Sequence, residues 1–239
     1  MAKGFFITGT DTGVGKTIIT ASLIKLLSSS DLKVAGMKPI ASGCYKTSQG
    51  LRNEDAVLIM QQSNLELDYD LINPYAFEPP ISPHFAAKDL DQKIDIDNIL
   101  EKYSVISNSA DVVLVEGVGG WQVPINEDQH MSDLAVALKL PVIMVVGLRL
   151  GCINHALLTA QAIRKNGLDL IACVANLIDA DYAKVEETVN TLKKQLNIPV
   201  EFVPHIDQKE IEQMNKNKLI PEIIINSLEK TKEQLYENV

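Results

Sequence analysis

TGTDTGVGKT, Thr8 to Thr17, lies between two apolar runs, Phe5-Phe6-Ile7 before it and Ile18 to Ile24 after it. A short strand, a glycine-rich turn and a helix in that order make a cradle for phosphate. Gly13 and Gly15 let the backbone turn tightly and present bare N–H groups to an anion, at the positive end of the helix that follows. Gly13, Val14, Gly15, Lys16, Thr17 and Ile18 are therefore candidate nucleotide contacts. Lys16 brings a point charge to the outer phosphates, and the Thr17 hydroxyl is a ligand for Mg²⁺. The P-loop pattern G-x-x-x-x-G-K-[ST] asks for glycine where this chain has Thr10, and Gly9 stands one residue early. A glycine-rich turn before a helix is sometimes only a turn. The Lys-Thr pair and the flanking apolar runs point to phosphate.

Outward from this stretch, composition bounds the rest. The 239 residues fit one large α/β domain, spanning 1–239, better than two small ones. A hydrophobic share of 46% with 22% charged residues is ordinary for a soluble globular chain. The formal charge of −9 carries no basic run, which argues against nonspecific nucleic-acid binding. Cys44, Cys152 and Cys173 form no C-x-x-C pair, which suits a reducing cytoplasm. The longest apolar run, Leu140 to Leu148, is too short to span a bilayer, so no membrane role is expected.

Along the chain, buried-type strands alternate with helical stripes. Lys33 to Met37 reads as a strand closed by Lys38-Pro39, and Ile40 to Asn53 as a polar loop. Asn53 and Asp55 open a helix through Met60, and Asn73 to Pro83 is proline-rich and irregular. A helix is expected over Ile94 to Ile106. Val112 to Val115 is a strand running into Glu116 and a Gly117-Val118-Gly119-Gly120 turn. Val142 to Val146 is another strand, followed by Gly151-Cys152-Ile153-Asn154 and a helix from about His155 to Lys165. A strand over Leu170 to Ala175 ends at Asn176-Leu177, a helix covers Val185 to Leu196, and Val200 to Val203 is a last short strand. Pro221 opens a closing helix through Leu235. The alternation predicts a P-loop NTPase-like, doubly wound α/β fold, its mostly parallel sheet covered by helices on both faces. Ligands bind such sheets beyond the strands' carboxyl ends, where Lys16, Thr17, Lys38, Ser42, Glu116 and Asn176 all fall.

Each of these residues has a plain reading beside a chemical one. Glu116 is either a solvated strand-end carboxylate or the acid that completes a Mg²⁺ shell with Thr17, and the glycines beside it favour the metal. Asp55 is on spacing alone a first-turn acid of a helix. Lys38 on its own reads as a solvated strand-end lysine. Asn176 either pairs with a base edge or merely ends a strand. Asn154 is an N-cap candidate, and the helix start from Gly151 could instead offer N–H groups to a carboxylate.

GTDTGVGKT, VAGMKPIASG, GLRNEDA, NPYAFEPPISPH, VLVEGVGGW, PVIMVVGLRLGCINHALLTAQAI and VAN follow one another in this order. Together, from about Phe5 to Pro204, they resemble the dethiobiotin synthetases, ATP-dependent carboxylases of biotin synthesis. The family shares the shifted glycine of the P-loop. Some members carry an acid where this chain has Gly13, so that contact is not inherited. The resemblance implies a cytoplasmic homodimer with interfacial sites that joins 7,8-diaminononanoate and CO₂ at the expense of ATP. A carbamate forms on one amine, takes the γ-phosphoryl group to give a carbamic-phosphoric anhydride, and the second amine closes a cyclic urea. It further implies catalytic roles for Lys16 and Lys38, and Mg²⁺ held by Thr17, Asp55 and Glu116. The nucleotide would also meet Gly117, Val118, Gly119, Asn176, Leu177 and His205. Thr12, Lys38 and Ser42 would meet the diamine end, and Gly151, Cys152, Ile153 and Asn154 its carboxylate. Lys38→Ala is expected to keep the fold and lose turnover.

A nucleotide switch of the partitioning or cell-division type shares the expected fold. Those ATPases usually carry an extra lysine early in the loop, and none lies between Gly9 and Gly15 here. The acidic balance and Glu229, Glu233 and Glu237 of the tail also argue against DNA or anionic lipid as partner.

Overall fold

The computed structural model describes residues 3–29, 31–206 and 228–237. Its frame begins with β1 (Lys3–Gly9), α1 (Lys16–Ser28) and β2 (Val34–Met37). Three short strands follow, β3 (Ile40–Ser42), β4 (Tyr45–Thr47) and β5 (Gly50–Arg52), before α2 (Glu54–Gln62) and α3 (Tyr69–Ile72). The middle of the chain holds β6 (Tyr75–Phe77), α4 (Pro83–Asp89), α5 (Ile96–Ser107), β7 (Val112–Gly120) and α6 (Met131–Leu138). The last described elements are β8 (Val142–Leu148), α7 (Cys152–Lys165), β9 (Leu170–Leu177), α8 (Val185–Leu196), β10 (Val200–Val203) and α9 (Glu229–Glu237).

Six strands form one parallel sheet in the order β10-β9-β8-β1-β7-β2. The chain first winds from β1 towards β2, then crosses to β8 and beyond, so the sheet reverses its direction of growth about β1. That is where open α/β sheets leave a crevice. Strand side chains divide by parity between two cores. Phe5, Ile7, Leu114, Ile143 and Val145 face α1, α2 and the tail. Phe6, Val113, Val115, Met144 and Val146 face α5, α6, α7 and α8. Continuous apolar runs are what a sheet covered on both faces demands, and the predicted doubly wound α/β fold is observed.

Local chemistry sets the elements around the crevice. Gly15 precedes α1 at φ 87°, a left-handed turn that suits glycine, and a Cβ there would stand 2.3 Å from the Asn176 amide nitrogen. Asn53 caps α2, its side chain accepting the Ala56 N–H at 3.2 Å. At Gly36 of β2 a Cβ would lie 2.2 Å from Ile59 and 2.5 Å from Ile24, so α1 and α2 settle directly on the strand.

Several expectations need correcting. The loop expected over 40–53 contains β3 and the β4–β5 hairpin, and β6, inside the proline-rich segment, pairs with β3 in parallel. Runs of three residues are too short to declare a period. The turn expected at Gly117 to Gly120 is the extended end of β7, and α7 begins at Cys152 rather than near His155. Helix α6 was not among the expected elements, although Met131, Leu134, Ala135 and Leu138 recur at helical spacing and lie on its buried face; at eight residues the pattern is only about two turns long. Pro221 and Ile224, the expected start of the closing helix, lie outside the described residues; Leu228 and Leu235 are buried in the core that α1 shares.

Candidate active site

The crevice beyond β1, β2 and β7 opens as a cavity of about 680 Å³ whose lining includes Thr12, Lys16, Thr17, Lys38, Ser42 and Asp55. Gly13, Gly15, Ile18, Val118 and Gly119 line it as well. Pro80 and Ile81, between β6 and α4, and Pro83, which opens α4, form a wall that was not expected from sequence.

At its floor lies a charged cluster contributed by four separate segments. Glu116 on β7 is fully buried, not solvated. Its Oε1 accepts both the Thr17 hydroxyl at 2.9 Å and the Lys38 ammonium at 2.6 Å. Lys38, just past β2, also donates to Asp55 Oδ2 at 2.9 Å. Burial pushes the Lys38 ammonium down, but Glu116 and then Asp55 outweigh it and hold the pKa above the ordinary lysine value. Burial likewise pushes the Asp55 carboxyl up, and Lys38 outweighs it, so this acid stays below its usual range. Lys38 is thus a fixed, charged, 4% exposed ammonium, and its reading as a solvated surface lysine is wrong.

The second lysine is held differently. Lys16 Nζ donates to the Asp11 carbonyl at 3.0 Å, folded back on its own loop. Burial draws its pKa down to about 8, with Glu116 offsetting part of that loss. The Asp11 carboxylate accepts the Thr12 N–H at 2.7 Å and is paired with Arg149 at the end of β8. Asp11 and Arg149 were not singled out from sequence; an acid within a phosphate loop is the signal that could have flagged them.

Two buried polar atoms of this region have no hydrogen-bond partner, Glu116 Oε2 and Ser42 Oγ. Such orphans are costly unless something binds them. Hydroxyl and carboxylate oxygens are the hard donors Mg²⁺ selects, so Thr17, Asp55 and Glu116 fit that ion.

The other expected contacts are spread around the loop. Val14 is buried, and its carbonyl accepts the Asn176 amide at 2.9 Å, so Asn176 does more than end a strand. His205 Nδ1 donates to the Leu177 carbonyl at 3.2 Å, which groups Asn176, Leu177 and His205 beside the P-loop, outside the cavity. A Cβ on Gly117 would point at Phe6 and Met131, so this residue faces the core rather than the cavity. Gly151, Cys152, Ile153 and Asn154 form the start of α7 and do not line the cavity either. Cys152 is buried and its N–H is spent on the Arg149 carbonyl at 3.1 Å. Asn154 is not the N-cap of α7; Gly151 is.

Comparison with known proteins places the chain in a family. A family model described as an AAA domain matches residues 3–223. ATP-dependent dethiobiotin synthetase BioD of Cellvibrio japonicus is 46% identical over 197 residues, covering 82% of this chain and 86% of that protein. The enzyme of the same name from Pseudomonas aeruginosa PAO1 is 47% identical over 206 residues, covering 85% and 90%. The chain belongs to the ATP-dependent dethiobiotin synthetase family. Its fold is also that of the MinD cell division protein of Aquifex aeolicus, with a TM-score of 0.61 over 97% of this chain and 98% of that one at 19% identity. Apo McdA from Cyanthece aligns with a TM-score of 0.63 over 98% and 100% of the two chains at 13% identity. At such identities these two likenesses carry the fold alone. Among the described residues no helix is long and apolar enough to cross a membrane.

Proposed function

We propose that the chain forms dethiobiotin, ADP and phosphate from 7,8-diaminononanoate, CO₂ and ATP. It works as one domain over 1–239, in a cytoplasmic homodimer, with Mg²⁺ as its metal. The observation that carries this is the buried Glu116 carboxylate shared by Thr17 and Lys38 directly beneath a phosphate loop. Such a cluster suits a reaction in which two anions must meet, because fixed positive charge aimed at the transferring phosphoryl group is the main device available.

Backbone N–H groups from Gly13 to Thr17 and the Lys16 ammonium hold the outer phosphates. Lys16 leaves the Asp11 carbonyl to do so. Thr17, Asp55 and Glu116 would hold Mg²⁺, which when bound would supply further positive charge at the phosphate oxygens. Lys38 faces the carbamate that forms when one amine of the diamine adds CO₂ and releases a proton. The carbamate oxygen attacks the γ-phosphorus and ADP leaves, giving the carbamic-phosphoric anhydride. The second amine then attacks the carbonyl carbon, expels phosphate and closes the ring. Thr12 and the unpartnered Ser42 hydroxyl orient the diamine end, Asn176, Leu177 and His205 flank the adenine, and positioning supplies most of the rate. The start of α7, with Gly151 to Asn154 set apart from the cavity of its own chain, receives the substrate carboxylate across the dimer interface.

Purified protein given diaminononanoate, bicarbonate and MgATP should yield dethiobiotin by mass spectrometry. Absence of the product with every component present would overturn the assignment.

A further inference from the structure

Lys38 and Asp55 stand on different segments, and something must keep them in register. Both backbone groups of Lys38 are captured by the C-terminal end of α3 and its capping residue. Its N–H donates to the Ile72 carbonyl at 2.9 Å, and its carbonyl accepts the Asn73 amide at 2.7 Å. Asn73 Oδ1 in turn accepts the Tyr69 hydroxyl at 3.0 Å, and that hydroxyl accepts the backbone N–H of Asn53 at 2.8 Å. Asn53 caps the helix whose first turn carries Asp55, and its amide also donates to the Ser42 carbonyl at 3.3 Å. The three side chains are buried, Asn53 at 7%, Tyr69 at 8% and Asn73 at 3% exposure, so water does not compete for these bonds.

We propose that Asn53, Tyr69 and Asn73 form a positioning relay that locks Lys38 and Asp55, together with Ser42, into the geometry phosphoryl transfer needs. The proposal rests on the catalytic reading above. Tyr69 is its central joint, since one hydroxyl both accepts from the Asp55 helix and donates towards Lys38. The Arg52 guanidinium lies 4.1 Å from the centroid of the Tyr69 ring, and burial raises the phenol pKa to about 12, so the hydroxyl keeps its proton under assay conditions. Asn53 also lines the cavity, whereas Tyr69 and Asn73 do not and act only through Lys38 and Asp55.

Tyr75 supplies a matched control. Its hydroxyl is also a buried acceptor, taking the Asp95 N–H at 3.0 Å and the Asn98 amide at 3.1 Å, but it does not lead to Lys38. Steady-state kinetics and melting curves should be measured for wild type, Tyr69→Phe, Asn73→Ala, the double variant and Tyr75→Phe. Tyr69→Phe is expected to lower kcat about tenfold while KM for ATP stays within about twofold, because the loop that grips phosphate is outside the relay. Asn73→Ala should match it, and the double variant should be no slower than either single one, as for two members of one chain. Tyr75→Phe should melt as low as Tyr69→Phe yet keep wild-type kcat. A Tyr69→Phe enzyme with wild-type kcat, additive losses in the double variant, or an equal kcat loss in Tyr75→Phe would each overturn the relay. If wild type itself makes no dethiobiotin, the catalytic reading fails instead.

Discussion

Lys38 shows how far a residue's surroundings decide its chemistry. From spacing alone it is a strand-end lysine, and only family resemblance raised it to a catalytic group. Its partners Asp55 and Glu116 lie 17 and 78 positions away, a distance no local pattern can bridge. The structure adds a stability cost to the expectation that Lys38→Ala keeps the fold and loses turnover. Removing the ammonium strands a fully buried Glu116 carboxylate, and breaking one half of a buried ion pair costs about 3–5 kcal/mol. Lys38→Met should therefore lose turnover and also melt well below wild type. The double variant Lys38→Met/Glu116→Gln should recover much of that stability but no activity; differential scanning calorimetry with a turnover assay separates the two effects. Lys16 allows a second test. Its pKa of about 8 means the group is charged below that pH and neutral above it. Metal-free ADP binding, followed by calorimetry, should weaken between about pH 7 and about pH 9.5, and Lys16→Gln should flatten that dependence.

At the scale of elements, the sequence was readable wherever burial imposed a long pattern. The apolar runs of β1, β7, β8 and β9 declared a parallel sheet because both of its faces are covered. The three-residue strands β3 and β6 were invisible, since their pairing with each other, not their composition, makes them strands. The site divides along the same line. Lys16 and Thr17 lie in a contiguous motif, whereas the wall at Pro80 to Pro83 and the Arg149–Asp11 pair exist only once the chain has folded. Packing at β2 gives a prediction for this scale. Because a methyl on Gly36 would collide with Ile59 and Ile24, Gly36→Ala should cost about 1–3 kcal/mol in denaturant unfolding, with kcat unchanged in the folded fraction.

For the whole molecule, the α7 end offers the surface that a second copy would cover. Leu150 is 94% exposed and Leu158 57%, and they flank the residues proposed to receive the substrate carboxylate. Light scattering should return the mass of two chains, and Leu150→Asp should shift it towards one chain and raise KM for the diamine. The proposed function requires coupling, with the charged floor of the crevice spending ATP only when a carbamate is present to take the phosphoryl group. The most direct test follows ADP and dethiobiotin together, with and without diaminononanoate. One ADP for each dethiobiotin, and almost none when the diamine is left out, is the result predicted. ADP released at the same rate without the diamine would contradict it.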